Sequence, residues 1–194
     1  TSPEARPLMR RNPMPISWTA IQALHEPDLD RHWVRCRDEL GLDCPLEVFE
    51  ELFFEHHGDA EFGALYRAVD WSAVAWTETE LSGVLLRRVA VDRGYQYAVD
   101  EARARTLEEG LSDARDAVVE HWAGHLTWLR PPILVTGEVT GSGFEYELLV
   151  GFTRLGNLLG LLDRQEVPEM KRHRVWVGEG PDLGGGQSGS STLS

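Results

Sequence analysis

The stretch that decides the fold runs Pro131-Pro132-Ile133-Leu134-Val135 and then Tyr146-Glu147-Leu148-Leu149-Val150-Gly151-Phe152-Thr153-Arg154-Leu155. Two short runs rich in Val, Ile and Leu, separated by Gly141-Ser142-Gly143, read as a strand, a turn and a second strand. Gly151 breaks the extended pattern. Leu155, Leu158, Leu159 and Leu162 follow at i, i+3, i+4 and i+7, the stripe of a helix with one buried face. A helix start leaves backbone N–H groups unpaired and carries the positive end of the helix dipole, so it attracts an anion. Arg154, in the first turn, adds a planar and permanently charged fork suited to bidentate phosphate contact. Gly151, Thr153 and Arg154 are therefore the candidate ligand-binding residues, and Arg87, Arg88 and Arg130 are candidate second cations. The bland alternative is a helix start in which Gly151 serves close packing and Arg154 pairs with an acidic neighbour such as Glu147 or Glu166.

This order, a proline-flanked strand, a hairpin, a strand ending in Gly-x-x-Arg, a leucine-rich helix and one more strand at Arg174 to Val177, resembles the ParB/sulfiredoxin-like domain over roughly residues 84–178. In that superfamily the box recurs as Gly-Glu-Arg-Arg, Gly-Cys-His-Arg or Gly-His-Thr-Arg and sits on nucleotide phosphates. Gly151-Phe152-Thr153-Arg154 is nearest the last form. The resemblance implies an α/β (α+β) protein with a mixed-sheet core, a nucleotide or other phosphate ligand and, if chemistry occurs, Mg²⁺-assisted phosphoryl or nucleotidyl hydrolysis or transfer. The sequence identifies no catalytic residue. Members with nucleotide-dependent chemistry carry an acidic residue before the glycine and a polar one after it, where this chain has Val150 and Phe152. No cysteine lies in the box, which excludes sulfiredoxin-type reduction.

Outward from this core, residues 1–15 hold four prolines and three arginines and read as a flexible arm. Residues 16–83 read as an acidic helical extension. Asp28 caps a helix through Leu29, Trp33, Cys36 and Leu40 that stops at Gly41. Pro45 opens a second through Leu46, Phe49, Leu52 and Phe53, and Asp59 caps a third through Phe62, Leu65 and Tyr66. Val69 to Trp76 reads as a link or short strand, and Thr77 with Glu80 as a capping box for one helical turn. Val84 to Val91 reads as a strand, Tyr95 to Leu107 as a helix, and Ser112 as the cap of another helix reaching about Leu126. That helix turns Ala117, Val118, His121, Trp122 and His125 inward. Residues 179–194, dominated by Gly, Ser and Thr, read as a disordered tail.

Charge is unevenly distributed. Residues 26–80 hold fifteen Asp and Glu against four Arg, a balance of −11, whereas residues 84–178 hold fourteen against twelve basic residues, a balance of −2. The acidic half repels a phosphate backbone and so excludes general nucleic-acid binding through that face. It suits a basic protein partner, which makes a non-catalytic interaction protein of the immunity or anti-defence type the rival function. No run of eighteen apolar residues exists, so the reading is a cytoplasmic protein with no membrane partner. Eighteen of the nineteen basic residues are Arg, a bias typical of GC-rich bacterial genomes. Cys36 and Cys44 match no zinc spacing and read as reduced structural thiols. His121 and His125, one turn apart, place Glu120 before the first His rather than in H-E-x-x-H order, and no metal site is expected there or at His56 and His57.

Overall fold

In the computed structural model, residues 14–111 and 115–181 are described. Most of the expected N-terminal arm, the Ser112 cap and most of the tail lie outside them. Four short helices come first: α1 (Trp18–Ala23), α2 (Leu29–Arg35, continuing as a π-helix over Cys36–Leu40), α3 (Leu46–Val48, continuing as a π-helix over Phe49–Phe54) and α4 (Ala60–Leu65). The starts of α2 and α4 are the expected ones, α3 begins directly after Pro45, and α1 was not anticipated. Asp28 accepts from the Arg31 N–H and Asp59 from the Phe62 N–H, both at 2.9 Å, and Ser17 caps α1 in the same way. Then follow β1 (Ala75–Ser82), α5 (Gly83–Leu86), β2 (Ala90–Val91), α6 (Gln96–Glu109), α7 (Asp116–His125), β3 (Ile133–Val135), α8 (Gly137–Thr140), β4 (Glu147–Val150), α9 (Phe152–Asp163) and β5 (Arg172–Glu179).

The strands form one mixed sheet in the order β1-β5-β3-β4-β2. β1 runs antiparallel to β5, β5 parallel to β3, β3 antiparallel to β4, and β4 parallel to β2. The chain is therefore a mixed α/β protein. Alternation along the central strands divides the core in two. Ile133, Val135 and Leu149 face α1 to α4 and their aromatic interior of Trp18, Phe49, Phe53, Phe62 and Trp71. Leu134, Leu148, Val175 and Val177 face α9 and α6. The helices α1 to α4 thus pack one side of the sheet as a full layer, while the end of the acidic half joins the sheet as β1.

Two expectations are corrected. Thr77 and Glu80 form no capping box; they lie in β1, which pairs with β5 over its whole length. Thr and Trp favour a pleated surface, and cross-strand ion pairs of Glu78 with Arg174 and Glu80 with Arg172 reinforce the pairing. Conversely, Val84 to Val91 is not one strand. The Ser82 side chain caps Leu85, so the chain turns into α5, and only Ala90–Val91 joins the sheet. Leu86 is thereby buried on the α9 side.

Helices α6 and α9 meet closely because α9 carries Gly156 and Gly160 one turn apart. A Cβ at Gly156 would stand 2.5 Å from the Val99 carbonyl oxygen and 2.7 Å from the Ala102 Cβ. At the far end of α9, Asp163 accepts from Arg87 at 2.9 Å and Arg103 at 2.7 Å. Burial pushes that carboxyl up, but the two guanidinium hydrogen bonds outweigh it and hold it below the usual carboxylate range. Gly156→Ala gains roughly 1 kcal/mol of helix propensity, yet overpacking against backbone costs about 1–3 kcal/mol. The expected result of urea unfolding is net destabilisation; a stabilised variant would show that α6 and α9 can separate freely.

Candidate functional site

Gly151 ends β4 with φ at +103°, a conformation glycine adopts without strain, and a Cβ there would lie 2.8 Å from the Pro132 Cβ. The glycine thus does what both readings required: it turns the chain from strand to helix and lets the Pro131-Pro132 segment pass. Arg154, one turn into α9, points back across that segment. Its Nη1 donates to the Arg130 and Pro131 carbonyl oxygens, each at 3.1 Å, and to Glu51 Oε1 at 3.2 Å; its Nη2 donates to Glu51 Oε2. Glu51, on the π-helical turn Phe49–Phe54, is only 6% exposed. Arg154 therefore pairs with an acidic residue, as the bland alternative held, but with Glu51 rather than Glu147 or Glu166. The bidentate pair ties the N-terminal layer to the start of α9 past the amino end of β3.

The other candidate residues separate. Arg130 lies beside this pair, with Nη1 3.6 Å from Glu50 and 3.7 Å from Glu51, and its side chain is 58% exposed. Thr153 is exposed on the first turn of α9. Arg87 is held by Asp163 and Glu169 at the opposite end of a twelve-residue helix, about 18 Å away at 1.5 Å per residue. Arg88 is exposed and does not line the same cleft.

Thr153, Arg154 and Arg130 share a cleft of about 780 Å³ with residues of α3, α6 and α7. Its walls include the carboxylates of Glu50, Glu51 and Glu55 and the guanidinium groups of Arg105, Arg115, Arg130 and Arg154; four positive against three negative leaves a formal balance of +1. Indole surface from Trp122 and Trp128 and the side chains of Leu111, Val118 and Leu129 form the apolar part. Thr106 donates to Asn157 Oδ1 at 3.1 Å within the wall, and both side chains reach the cleft. The sequence reading missed Glu51, Arg105, Arg115 and the two indoles. Glu51 had one local signal: a carboxylate between Phe49 and Leu52-Phe53, where both helix faces are apolar.

The histidines of α7 do not all turn inward as the stripe suggested. Trp122 is buried, His121 is half-buried and His125 is exposed, and no group of three or more His, Cys, Asp or Glu among the described residues is arranged to hold a metal. Cys36 and Cys44 are free and buried, with the Cys36 thiol pushed up to about 11 by burial. Of the fifteen carboxylates in residues 26–80, ten are engaged within the chain as caps or ion pairs: Glu26, Asp28, Asp38, Glu39, Glu50, Glu51, Asp59, Asp70, Glu78 and Glu80. No protein-family model matches the chain, and neither the curated proteins nor the solved structures give a match.

Breaking the Glu51–Arg154 pair strands a buried carboxylate. Removing one partner of a fully buried pair costs about 3–5 kcal/mol; since the Arg154 side chain is 25% exposed, Glu51→Gln and Arg154→Gln are each expected to cost about 2–3 kcal/mol. The double variant should lose clearly less than their sum. Additive losses in denaturant titrations would show that the two groups do not couple.

His173, fully buried, has its pKa lowered to about 4 by burial and then by Lys171. A group that protonates less readily folded than unfolded costs stability as pH falls, so about 3 kcal/mol should be lost between pH 6.5 and 4. His173→Gln should flatten that part of the stability–pH profile.

Proposed function

We propose that this protein binds a small phosphate-bearing molecule, a nucleotide or a close relative, in the cleft at the start of α9. The observation that carries the reading is the opening of that helix start onto the cleft beside Arg130, whose guanidinium is largely exposed and held only by ion pairs of 3.6 and 3.7 Å. The first N–H groups of α9, the Thr153 hydroxyl and Arg130 supply donors to the phosphate. Arg154 already makes four hydrogen bonds, so its part is to hold Glu51 neutralised and the Arg130-Pro131 backbone in place. The apolar side chains of Leu111, Val118 and Leu129, backed by the buried Trp122 and Trp128, supply a wall for a planar base. A local balance of +1 within a chain of net charge −13 favours an anion here over most of the surface.

The strand, the positive-φ glycine and the helix bearing Arg154 support the resemblance to the ParB/sulfiredoxin-like domain, and with it a phosphate ligand at this helix start. The donor set does not fit a resident Mg²⁺, since no three or more His, Cys, Asp or Glu side chains among the described residues are arranged to hold a metal ion. Any Mg²⁺ would arrive on the nucleotide's own phosphates. No general base is assigned, and the reading is binding rather than catalysis.

The alternative, an acidic surface for a basic protein partner, rests on the five carboxylates of residues 26–80 that make no hydrogen bond or ion pair within the described chain: Asp30, Asp43, Glu47, Glu55 and Glu61. Association through them would slow steeply as salt shortens the Debye length from about 10 Å at 0.1 M to about 3 Å at 1 M.

A thermal-shift panel of nucleotides, with and without Mg²⁺, tests the ligand. A binder at a hundredfold excess over Kd should stabilise the protein by about 2.7 kcal/mol. Arg130→Ala should remove most of that gain with little change in the unliganded Tm, because Arg130 is exposed and its ion pairs are long. A full panel without a shift in the wild type would sink the reading.

A further inference from the structure

The π-helical turn Phe49–Phe54 has two working sides. One carries Glu50 and Glu51 to the cleft; the other packs against three imidazoles that the phosphate reading does not use. His25 and His57 stack face to face with centroids 3.7 Å apart, and His32 stands edge-on to His25 at 5.1 Å. His32 in turn meets Phe49 at 4.9 Å, and His25 meets Phe54 at 5.9 Å. His57 donates from Nδ1 to the Phe54 carbonyl oxygen at 2.9 Å, so it grips the end of the same turn. From these contacts we propose that the His25–His32–His57 cluster is an acid-sensitive switch on this turn, which loosens the Glu51–Arg154 pair and so remodels the cleft as pH falls through the histidine range.

The geometry dictates the sign. His32 is fully buried and donates from Nε2 to the Ile21 carbonyl oxygen at 3.3 Å, which leaves its basic Nδ1 buried with no partner. The Nδ1 of His25 is buried and unpartnered too. A proton on either ring would meet no acceptor, and a second positive ring at 3.7 Å would repel it. The charged or titratable groups that face the cluster are few. Glu26 is the anion, already paired with Arg35 at 2.8 Å, and Cys36, against Ile21, stays neutral across this range. Burial, followed for His25 by the neighbouring His57 charge, lowers both pKa values from the ordinary 6.5. Such groups bind protons more readily when the packing opens, so acid favours the open turn. A π-helical turn is a natural place for this to act, because its hydrogen-bond pattern is a rare and local departure from α geometry.

The switch rests on the Glu51–Arg154 contact and needs no ligand, so it is measured on the ligand-free full chain. Hydrogen exchange at residues 50–55, corrected for the intrinsic pH dependence, is compared at pH 7.5 and 5.5. Protection of this turn is expected to fall about tenfold in the wild type, a factor of ten corresponding to about 1.4 kcal/mol. Amides of β3 and β4 should fall less. In His25→Phe/His57→Phe, which keeps ring packing, the drop at 50–55 should shrink clearly, the remainder belonging to His32. His57→Gln, which removes the charge stacked on His25 at an exposed position, serves if the double variant fails to fold and should reduce the drop. Unchanged protection in the wild type, or an equal drop in the variants, would overturn the switch. ADP and inorganic phosphate binding at pH 7.5 tests the cleft reading separately, and its failure would leave the exchange result standing.

Discussion

The central strand β3 has no side that can face water. Ile133, Leu134 and Val135 are each at most 1% exposed, and they point alternately to opposite faces of the sheet. A strand of this kind requires cover on both faces. On one side the cover is α9 backed by α6, brought close by Gly156 and Gly160. On the other it is the aromatic layer of α1 to α4. The N-terminal helices are short, two of them end in π-helical turns, and they would be marginal alone. They are held by burying Phe49, Phe53, Phe62 and Trp71 against the sheet.

From that constraint comes the position of the site. Two layers covering opposite faces can touch only around an edge or an end of the sheet, and here they do so at the carboxyl end of β4 and the amino end of β3. The Glu51–Arg154 pair closes that seam, spanning 103 residues of sequence. Burying a carboxylate costs free energy that a bidentate guanidinium and good geometry offset only in part, so the pair is better understood as fixing how the layers meet than as a large source of stability. The cleft is what remains open beside the seam. Among its charged groups is Arg130, which the layers bring near Glu50 and Glu51 without close pairing.

The parts of this arrangement visible in the sequence are those set by local chemistry. Asp28 and Asp59 cap helices because an acidic side chain can reach the N–H three residues on, and Gly151 marks a strand-to-helix turn because few other residues accept its φ. The leucine stripe of α9 and the apolar run of β3 were equally legible. The errors fell where a distant partner decides. Thr77-Glu78-Thr79-Glu80 has the spacing of a capping box, yet Arg172 and Arg174 of β5 draw its carboxylates into cross-strand pairs. Val84 to Leu86 has strand composition, yet the Gly83 and Val84 N–H groups bond the Lys171 and Glu169 carbonyl oxygens, and Ser82 starts a helix. Arg154 was legible as an anion-seeking side chain; that its anion is Glu51 was not, because nothing near either residue encodes the other.

The same seam explains why an acidic surface and a cleft with a positive local balance can coexist in one chain. Most carboxylates of residues 26–80 are engaged in caps and ion pairs, which confines their fields to a few ångströms and leaves the cleft's local balance positive. Within the cleft, Glu51 is neutralised by Arg154, and Glu50 competes for Arg130 only across 3.6 Å, a distance at which an exposed ion pair contributes little. A phosphate would offer Arg130 more charge at closer range, so displacing that contact costs less than forming the new one gains. The two guanidinium groups beside Glu51 therefore divide the work by burial: the one enclosed by carbonyls and carboxylate holds the layers in register, and the one left in solvent is free to meet a ligand.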